Sequence, residues 1–303
     1  MKYRQNFGKV LKVESLIIGI VIVYVFACSL AIYSISKNEV INNGVGPLKE
    51  ASTLSPSNLE PTEFEEEFIG NTQLQQDDDR LLNYIRHRVL IPPPAQTEAV
   101  VLSLKNPHKE PAQQEEIYRY VFKLLGEMKD GFFIECGGND GELYSNTLAL
   151  ELRHGWTGLL VEPLPLAKLR TRGRYVWIAP ICLSGMDMFR PNNDDLMTRL
   201  GFGENVSFTT KCFPVFSLLK AINITTVDYF SLDIEGAELS VLKTIPWDRV
   251  HIKVISIEVP LWFEERKSVD SYMKSVGYKL MTYISNMYSH DNIYIHSSVQ
   301  HDA

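Results

Sequence analysis

The chain has 303 residues, 45% of them hydrophobic, and 37 acidic against 30 basic residues give it a net charge of −7. That length holds one sizeable domain plus appendages. The acidic balance leaves no basic stripe for counterion release, so nucleic acid is not an expected partner, and Cys28, Cys136, Cys182 and Cys212 show neither CxxC spacing nor a histidine cluster of the kind that holds structural zinc.

Residues 1–15 carry Lys2, Arg4, Lys9 and Lys12 ahead of an uncharged apolar run at 16–33, LIIGIVIVYVFACSLAIY. A helix needs roughly 20 such residues to cross a hydrocarbon layer about 30 Å thick, so the run reads as a spanning helix with the lipid bilayer as its partner. A cleaved signal peptide is the competing reading. Its apolar core usually runs about 7–15 residues and ends at a small-x-small site, which Ser34-Ile35-Ser36-Lys37 does not offer. The cations lie before the helix with Glu14 opposing them, whereas Lys37 after it is matched by Glu39, so the bulk of the chain is expected on the lumenal or extracellular side. Two glycosylation tripeptides, Asn205-Val206-Ser207 and Asn223-Ile224-Thr225, agree with that orientation. On that side Cys182 and Cys212 can pair; three reduced core thiols are the alternative.

Residues 34–79 mix Asn, Gly, Pro and Ser with acids, including Glu65, Glu66, Glu67 and Asp77-Asp78-Asp79, and read as a flexible, self-repelling stem. A folded domain is then expected over 80–297, with 298–303 as a tail. Asp79 is expected to cap a helix carrying Leu81, Leu82, Ile85 and Val89 that ends before Pro92-Pro93-Pro94. A second amphipathic helix is predicted from Gln113 to Met128, with Ile117, Tyr120, Val121, Leu124 and Leu125 on one side.

Beyond Lys129 short apolar runs alternate with polar helical stretches. Strands are predicted at Phe132 to Cys136, Gly158 to Glu162, Tyr175 to Ile181, Val227 to Asp233 and Val254 to Val259. Strands alternating with helices imply an α/β fold with a mostly parallel, covered sheet. Tyr278 to Ile284 and Asn292 to His296, joined by a polar turn over Ser285 to Asp291, are expected to close one edge as an antiparallel hairpin.

The first strand runs into Glu135-Cys136-Gly137-Gly138-Asn139-Asp140-Gly141, with a helix expected near Ser145. Glycines let a ligand approach the backbone, and turn amides can hold an anion. The next strand ends in Glu162, an acid able to accept both hydroxyls of a ribose at the carboxyl edge of the sheet. A tight glycine turn beside a surface glutamate is the purely structural alternative. Neither a Walker lysine nor a full GxGxxG is present, which argues against nucleoside triphosphates and dinucleotides. The fourth strand gives DYFSLDIEGAE, which clusters Asp233, Glu235 and Glu238 where that strand breaks. Asp233 is the candidate for positioning substrate or donor, while Glu235 and Glu238 suit a helix N-terminus. Methyl transfer to oxygen needs a base beside the acceptor. No residue declares itself as that base; His290 in the terminal turn and Asp233 are the candidates, and whether the domain is an enzyme stays open at this point.

Three segments together, GFFIECGGNDGELYSNTLALE, GWTGLLVEP and DYFSLDIEGAELSVLKTIPWD, resemble the FkbM-type methyltransferase domain, and within it the Star-like membrane-protein branch. The resemblance covers roughly residues 80 to 297, and the anchor and acidic stem resemble that branch's arrangement. It implies a Rossmann-like S-adenosylmethionine-methyltransferase sheet, with Glu135, Gly137, Gly138, Asn139, Asp140 and Gly141 in the donor loop and Glu162 at the ribose. Asp233, Glu235 and Glu238 would match the family's aspartate-x-glutamate-Gly-x-glutamate signature. Many enzymatic relatives carry Glu-x-His after the fifth strand, whereas this chain has Glu258-Val259-Pro260. What the resemblance implies about role is an escort of membrane-tethered growth-factor precursors from the endoplasmic reticulum towards the Golgi, within epidermal growth factor receptor signalling. The alternative it implies is a lumenal O-methyltransferase acting on a sugar or another small hydroxyl compound.

Overall fold

A computed structural model describes residues 74–94, 103–104, 115–163, 173–185, 188–189, 197–202, 206–234, 236–259, 263–285 and 290–300. The expected membrane helix at 16–33, the basic segment before it and most of the stem lie outside the described residues. Among the described residues no helix is long and apolar enough to cross a membrane.

Folded structure reaches back ahead of the expected start at residue 80. Strand β1 (Leu74–Gln75) pairs antiparallel with β6 (Met188–Phe189), and Leu74 is 1% exposed, so the last residues assigned to the stem belong to the domain. Helix α1 (Asp79–Tyr84) is capped by Asp78, whose carboxylate accepts the Arg80 amide; the expected cap, Asp79, is instead the first helical residue. A single carboxylate cannot occupy both positions, and Asp78 has the extended backbone that a cap requires. A π-helical turn at Ile85–Val89 follows, and the chain is extended at Leu90 ahead of the prolines. Helix α2 (Glu115–Leu124) is the second predicted helix, shorter at its carboxyl end; the expected start at Gln113 lies outside the described residues.

The alternating region folds as predicted in kind. After α2 come β2 (Phe132–Cys136), α3 (Leu148–His154), β3 (Thr157–Val161) and β4 (Trp177–Ala179). An insertion not foreseen from the sequence follows: β5 (Cys182–Leu183), β6, β7 (Met197–Phe202) and β8 (Val206–Phe213). Strands β5, β8 and β7 make a separate three-stranded sheet, and Cys182 lies opposite Cys212 in its register, where the two are joined by a disulfide with Cα atoms 4.4 Å apart. The chain returns through α4 (Val215–Ala221), β9 (Thr226–Leu232), α5 (Glu238–Leu242), β10 (His251–Glu258), α6 (Phe263–Ser275), β11 (Tyr278–Ser285) and β12 (His290–His296).

The main sheet has seven strands in the order β11-β12-β10-β9-β2-β3-β4. Its five parallel strands therefore stand third, second, first, fourth, fifth, the doubly wound order that reverses between β2 and β9. The terminal hairpin joins antiparallel, with β12 rather than β11 against β10. Alternation along the strands sends Phe133, Leu160, Tyr229, Val254 and Ile293 to one face against Ile117 and Val121 of α2 and Leu150 of α3. Ile134, Leu159, Phe230, Ile255 and Ile257 pack on the other against side chains of α1, α4, α5 and α6. Covered on both faces, the sheet leaves its carboxyl edge, at the switch point, for ligand chemistry.

Candidate functional site

The site begins at the carboxyl ends of β2 and β9. Four backbone positions between β2 and α3 have positive φ: Gly137 (84°), Asn139 (48°), Gly141 (80°) and Tyr144 (64°). A loop so contorted must be held, and the Glu135 carboxylate holds it. Buried at 2% exposure, it accepts the Asn146 amide at 2.6 Å, the Ser145 hydroxyl at 2.9 Å and the Thr147 hydroxyl at 2.6 Å. Arg174, equally buried, donates to the Gly141 carbonyl at 2.9 Å, to Ser145 Oγ at 3.1 Å, to Thr147 Oγ1 at 3.0 Å and to Glu151 at 2.5 Å. Its guanidinium also stands 3.7 Å from Glu135. Asp140 closes the loop on itself by accepting the amides of Glu142 and Leu143.

Of the residues expected to form a donor site, the structure brings together Glu135, Gly137 to Gly141, Glu162 and Asp233. The Glu162 carboxylate, 5% exposed after the end of β3, accepts the Asn139 amide at 2.9 Å and so ties the second strand's acid to the first strand's loop. Asp233 follows β9 directly and is half-buried; its amide donates to the Cys136 carbonyl. Gly137 is required by this junction. A Cβ there would fall 2.1 Å from the Asp233 carbonyl oxygen, so the glycine is what lets β2 and β9 close on each other. Gly138 is different: a Cβ would meet only ordinary contacts at 3.6 Å or more.

Electrostatics at this edge are negative. Burial pushes the Cys136 thiol well above its usual range, and the neighbouring carboxylates of Glu135, Glu162 and Asp233 push it further. Cys136 is thus a buried, protonated thiol and not a nucleophile. Glu238, at the start of α5, accepts the amides of Ile234 and Gly236 at 3.0 Å and closes the loop after β9, which is the structural role the sequence favoured for it. Glu235 lies outside the described residues.

His290 stands apart from this group. It was expected in the hairpin turn but opens β12, where its carbonyl accepts the Val259 amide and its Nδ1 shares a hydrogen with Ser285 Oγ at 2.7 Å. Strand β12 is separated from β2 by β10 and β9, three strand spacings or roughly 14 Å. No metal-binding group of His, Cys, Asp or Glu occurs among the described residues.

Sequence reasoning missed the inner network of Arg174, Glu151, Ser145, Asn146, Thr147 and Ser231. Arg174 sits in TRGRYVW with nothing to set it apart from Arg170 or Arg172, so the sequence held no signal for it. Asn146 donates through Nδ2 to Ser231 Oγ at 2.9 Å, linking the loop to β9.

A doubly wound sheet with a reversed terminal hairpin, a glycine loop after its first strand and an acid after its second define a Rossmann-like methyltransferase fold. Residues 135–280 match the family model described as the Methyltransferase FkbM domain, which is 146 of the 303 residues. No curated protein matches the chain. Similar solved structures include the METTL16 MTase domain, at 13% identity over 62% of this chain and 68% of that one, with a TM-score of 0.40. A human methyltransferase 10 domain containing protein is 10% identical over 72% of this chain and 94% of its own, with a TM-score of 0.38. TrmK of M. capricolum, in complex with its cofactor product S-adenosylhomocysteine, is 11% identical over 60% of this chain and 70% of its own, with a TM-score of 0.33. None of these likenesses bears on the substrate or chemistry of this chain.

Proposed function

We propose that this chain is a single-pass type II membrane protein whose methyltransferase-like domain stands in the lumen and serves the passage of membrane-tethered cargo, such as precursors of epidermal growth factor receptor ligands, from endoplasmic reticulum to Golgi. The observation that carries the placement is the Cys182–Cys212 disulfide, since such bonds form and persist in oxidising compartments. The uncharged run at 16–33, the cations before it and the Star-like resemblance of the three core segments support the same reading. S-adenosylmethionine is made in the cytosol, so a lumenal domain would need it delivered, which favours recognition over catalysis. The base remains unassigned at the carboxyl edge, where Glu135, Asp140 and Glu238 all hold the protein's own backbone.

The second reading, a lumenal O-methyltransferase for a small hydroxyl compound or sugar, is favoured by two residues at the carboxyl edge. The residues at the edge fit the donor: Glu162 stands at the carboxyl end of β3 where ribose hydroxyls would meet it, and Asn146 carries a buried oxygen that lacks a hydrogen-bond partner among the described residues. Bound there, the donor would supply an electrophilic methyl group, and Asp233 would position the donor or the substrate.

Export of a tethered cargo in cells that lack this chain separates the two. Under the escort reading the cargo stays in the endoplasmic reticulum, the full chain restores export, residues 1–79 alone do not, and Glu162→Gln restores it as the native chain does. Unaltered export without the chain overturns the reading. Loss of export in a folded Glu162→Gln protein would move the assignment to the donor-dependent alternative.

A further inference from the structure

Arg266 carries a charge that the fold leaves unmatched. Among the described residues Arg80, Arg119, Arg174 and Arg249 each meet a carboxylate, whereas no hydrogen bond or ion pair reaches the Arg266 guanidinium. Arg266 is half-buried near the start of α6, the helix whose Val269 and Met273 pack into the core. Asp270, one turn further along α6, is already taken: its carboxylate accepts the Tyr294 hydroxyl and Asn292 Nδ2. A half-buried charge without a partner is costly, so this guanidinium calls for a group of opposite charge.

Its surroundings select the kind of anion. The guanidinium carbon stands 3.7 Å over the centroid of the Tyr283 ring. Tyr283 and Ser285 on β11 share a sheet face with Asn292 and His290, their partners in the hairpin register. His290 Nδ1 lies 2.7 Å from Ser285 Oγ and 3.4 Å from the Tyr283 hydroxyl oxygen, and its ring is inclined by 16° to that of Tyr283. Stacking covers one face of a guanidinium and leaves its in-plane N–H groups at the rim, the fork that meets two oxygens of one oxyanion. Ser285 is exposed and Arg266, Tyr283 and His290 are half-buried, so solvent reaches the cluster.

We infer that Arg266, stacked on Tyr283 with Ser285 and His290 at the end of the same hairpin, is a binding site for an oxyanion: a carboxylate, sulfate or phosphate group. The guanidinium supplies the charge and the paired donors, and the hydroxyls of Tyr283 and Ser285 supply further hydrogens to the same group. Strand β12 lies two strand spacings, roughly 10 Å, from β9, so the site is distinct from the acids Glu162 and Asp233. Charge separates the two as well, since carboxylates converge on Cys136 at the one and a cation stands unmatched at the other. The oxyanion site depends on neither reading of the function.

Calorimetry on the full chain in detergent tests it, with glucuronate against glucose as its uncharged counterpart, and with inorganic sulfate and phosphate. Glucuronate is expected to bind about tenfold tighter than glucose, the preference that a charge-assisted hydrogen bond provides. Arg266→Gln is expected to erase that preference, while Arg266→Lys, which keeps the charge and loses the fork, retains part of it. Should the glutamine form melt early, the lysine form carries the comparison. Sulfate or phosphate binding as tightly as glucuronate identifies a free ion as the ligand, and tighter binding of glucuronate identifies an acidic sugar; both results support the site. If the native protein binds none of the three anions, the inference is overturned. If an Arg266→Gln protein with the native melting temperature binds them as the native chain does, the guanidinium serves packing alone and the inference is overturned as well.

Discussion

Two adjacent glycines in the loop separate packing from ligand access at the level of single residues. Gly137 has φ of 84° and would place a Cβ 2.1 Å from the Asp233 carbonyl oxygen, which is backbone and cannot swing aside. Gly138 would meet the Leu160 side chain at 3.6 Å, an ordinary contact. Gly137→Ala is therefore expected to cost about 2–4 kcal/mol from the left-handed conformation and the overpacking together. Gly138→Ala should change stability by no more than about 0.5 kcal/mol. Thermal melts of the two variants check this, and similar losses at both positions would show that the junction of β2 and β9 gives way more easily than its geometry indicates. The glycine pair was visible in the sequence, but the difference between its members was not, because it is set by β9, some ninety residues further on.

Among elements, the inserted sheet of β5, β8 and β7 was the largest that the sequence concealed, beside the short β1–β6 pair. Its strands lie between Cys182 and Phe213, where the apolar positions are sparse and no alternation stands out. The sheet is joined by its backbone ladder and by the Cys182–Cys212 bridge across a sequence separation of 30. In the chain-entropy picture a loop of that size gives about 3.6 kcal/mol. Replacing both cysteines by serine is expected to lower the unfolding free energy of the folded domain by about 2–4 kcal/mol, measured by denaturant titration. An unchanged midpoint would mean that the insertion opens independently of the core. The predicted elements survive with shifted ends: β9 and β10 begin earlier than expected, at Thr226 and His251, because pairing with neighbours extends a strand beyond its apolar run.

For the molecule as a whole the main question is the compartment, and Asn223-Ile224-Thr225 offers a readout separate from the disulfide. Asn223 is exposed with φ of 60°, in the turn between α4 and β9, and Thr225 is exposed beside it. That turn precedes the amino end of β9, opposite the carboxyl edge, so a glycan there leaves the candidate site open. In a cell that places the domain in the lumen, the full chain is expected to run faster on a gel after N-glycosidase treatment, and Thr225→Ala to remove part of that shift. A chain with no glycan in the presence of active glycosylation would contradict the lumenal orientation.

The sequence by itself determined the chain order of the five parallel strands and the terminal hairpin, the glycine loop, the acids Glu135, Glu162 and Asp233, and the apolar run at 16–33. All of these are local: they follow from periodicity, turn chemistry and charge within a few residues. Tertiary structure decided what those residues are committed to. Glu135 proved to be the keystone of its own loop, Glu162 the tie to Asn139, and Glu238 the clasp of the turn after β9. Arg174 and the side chain of Asn146 entered the site through contacts across 23 to 85 residues of chain, which leave no mark in a short window of sequence. A buried charge or amide is defined by the partners that satisfy it, and folding alone selects those partners.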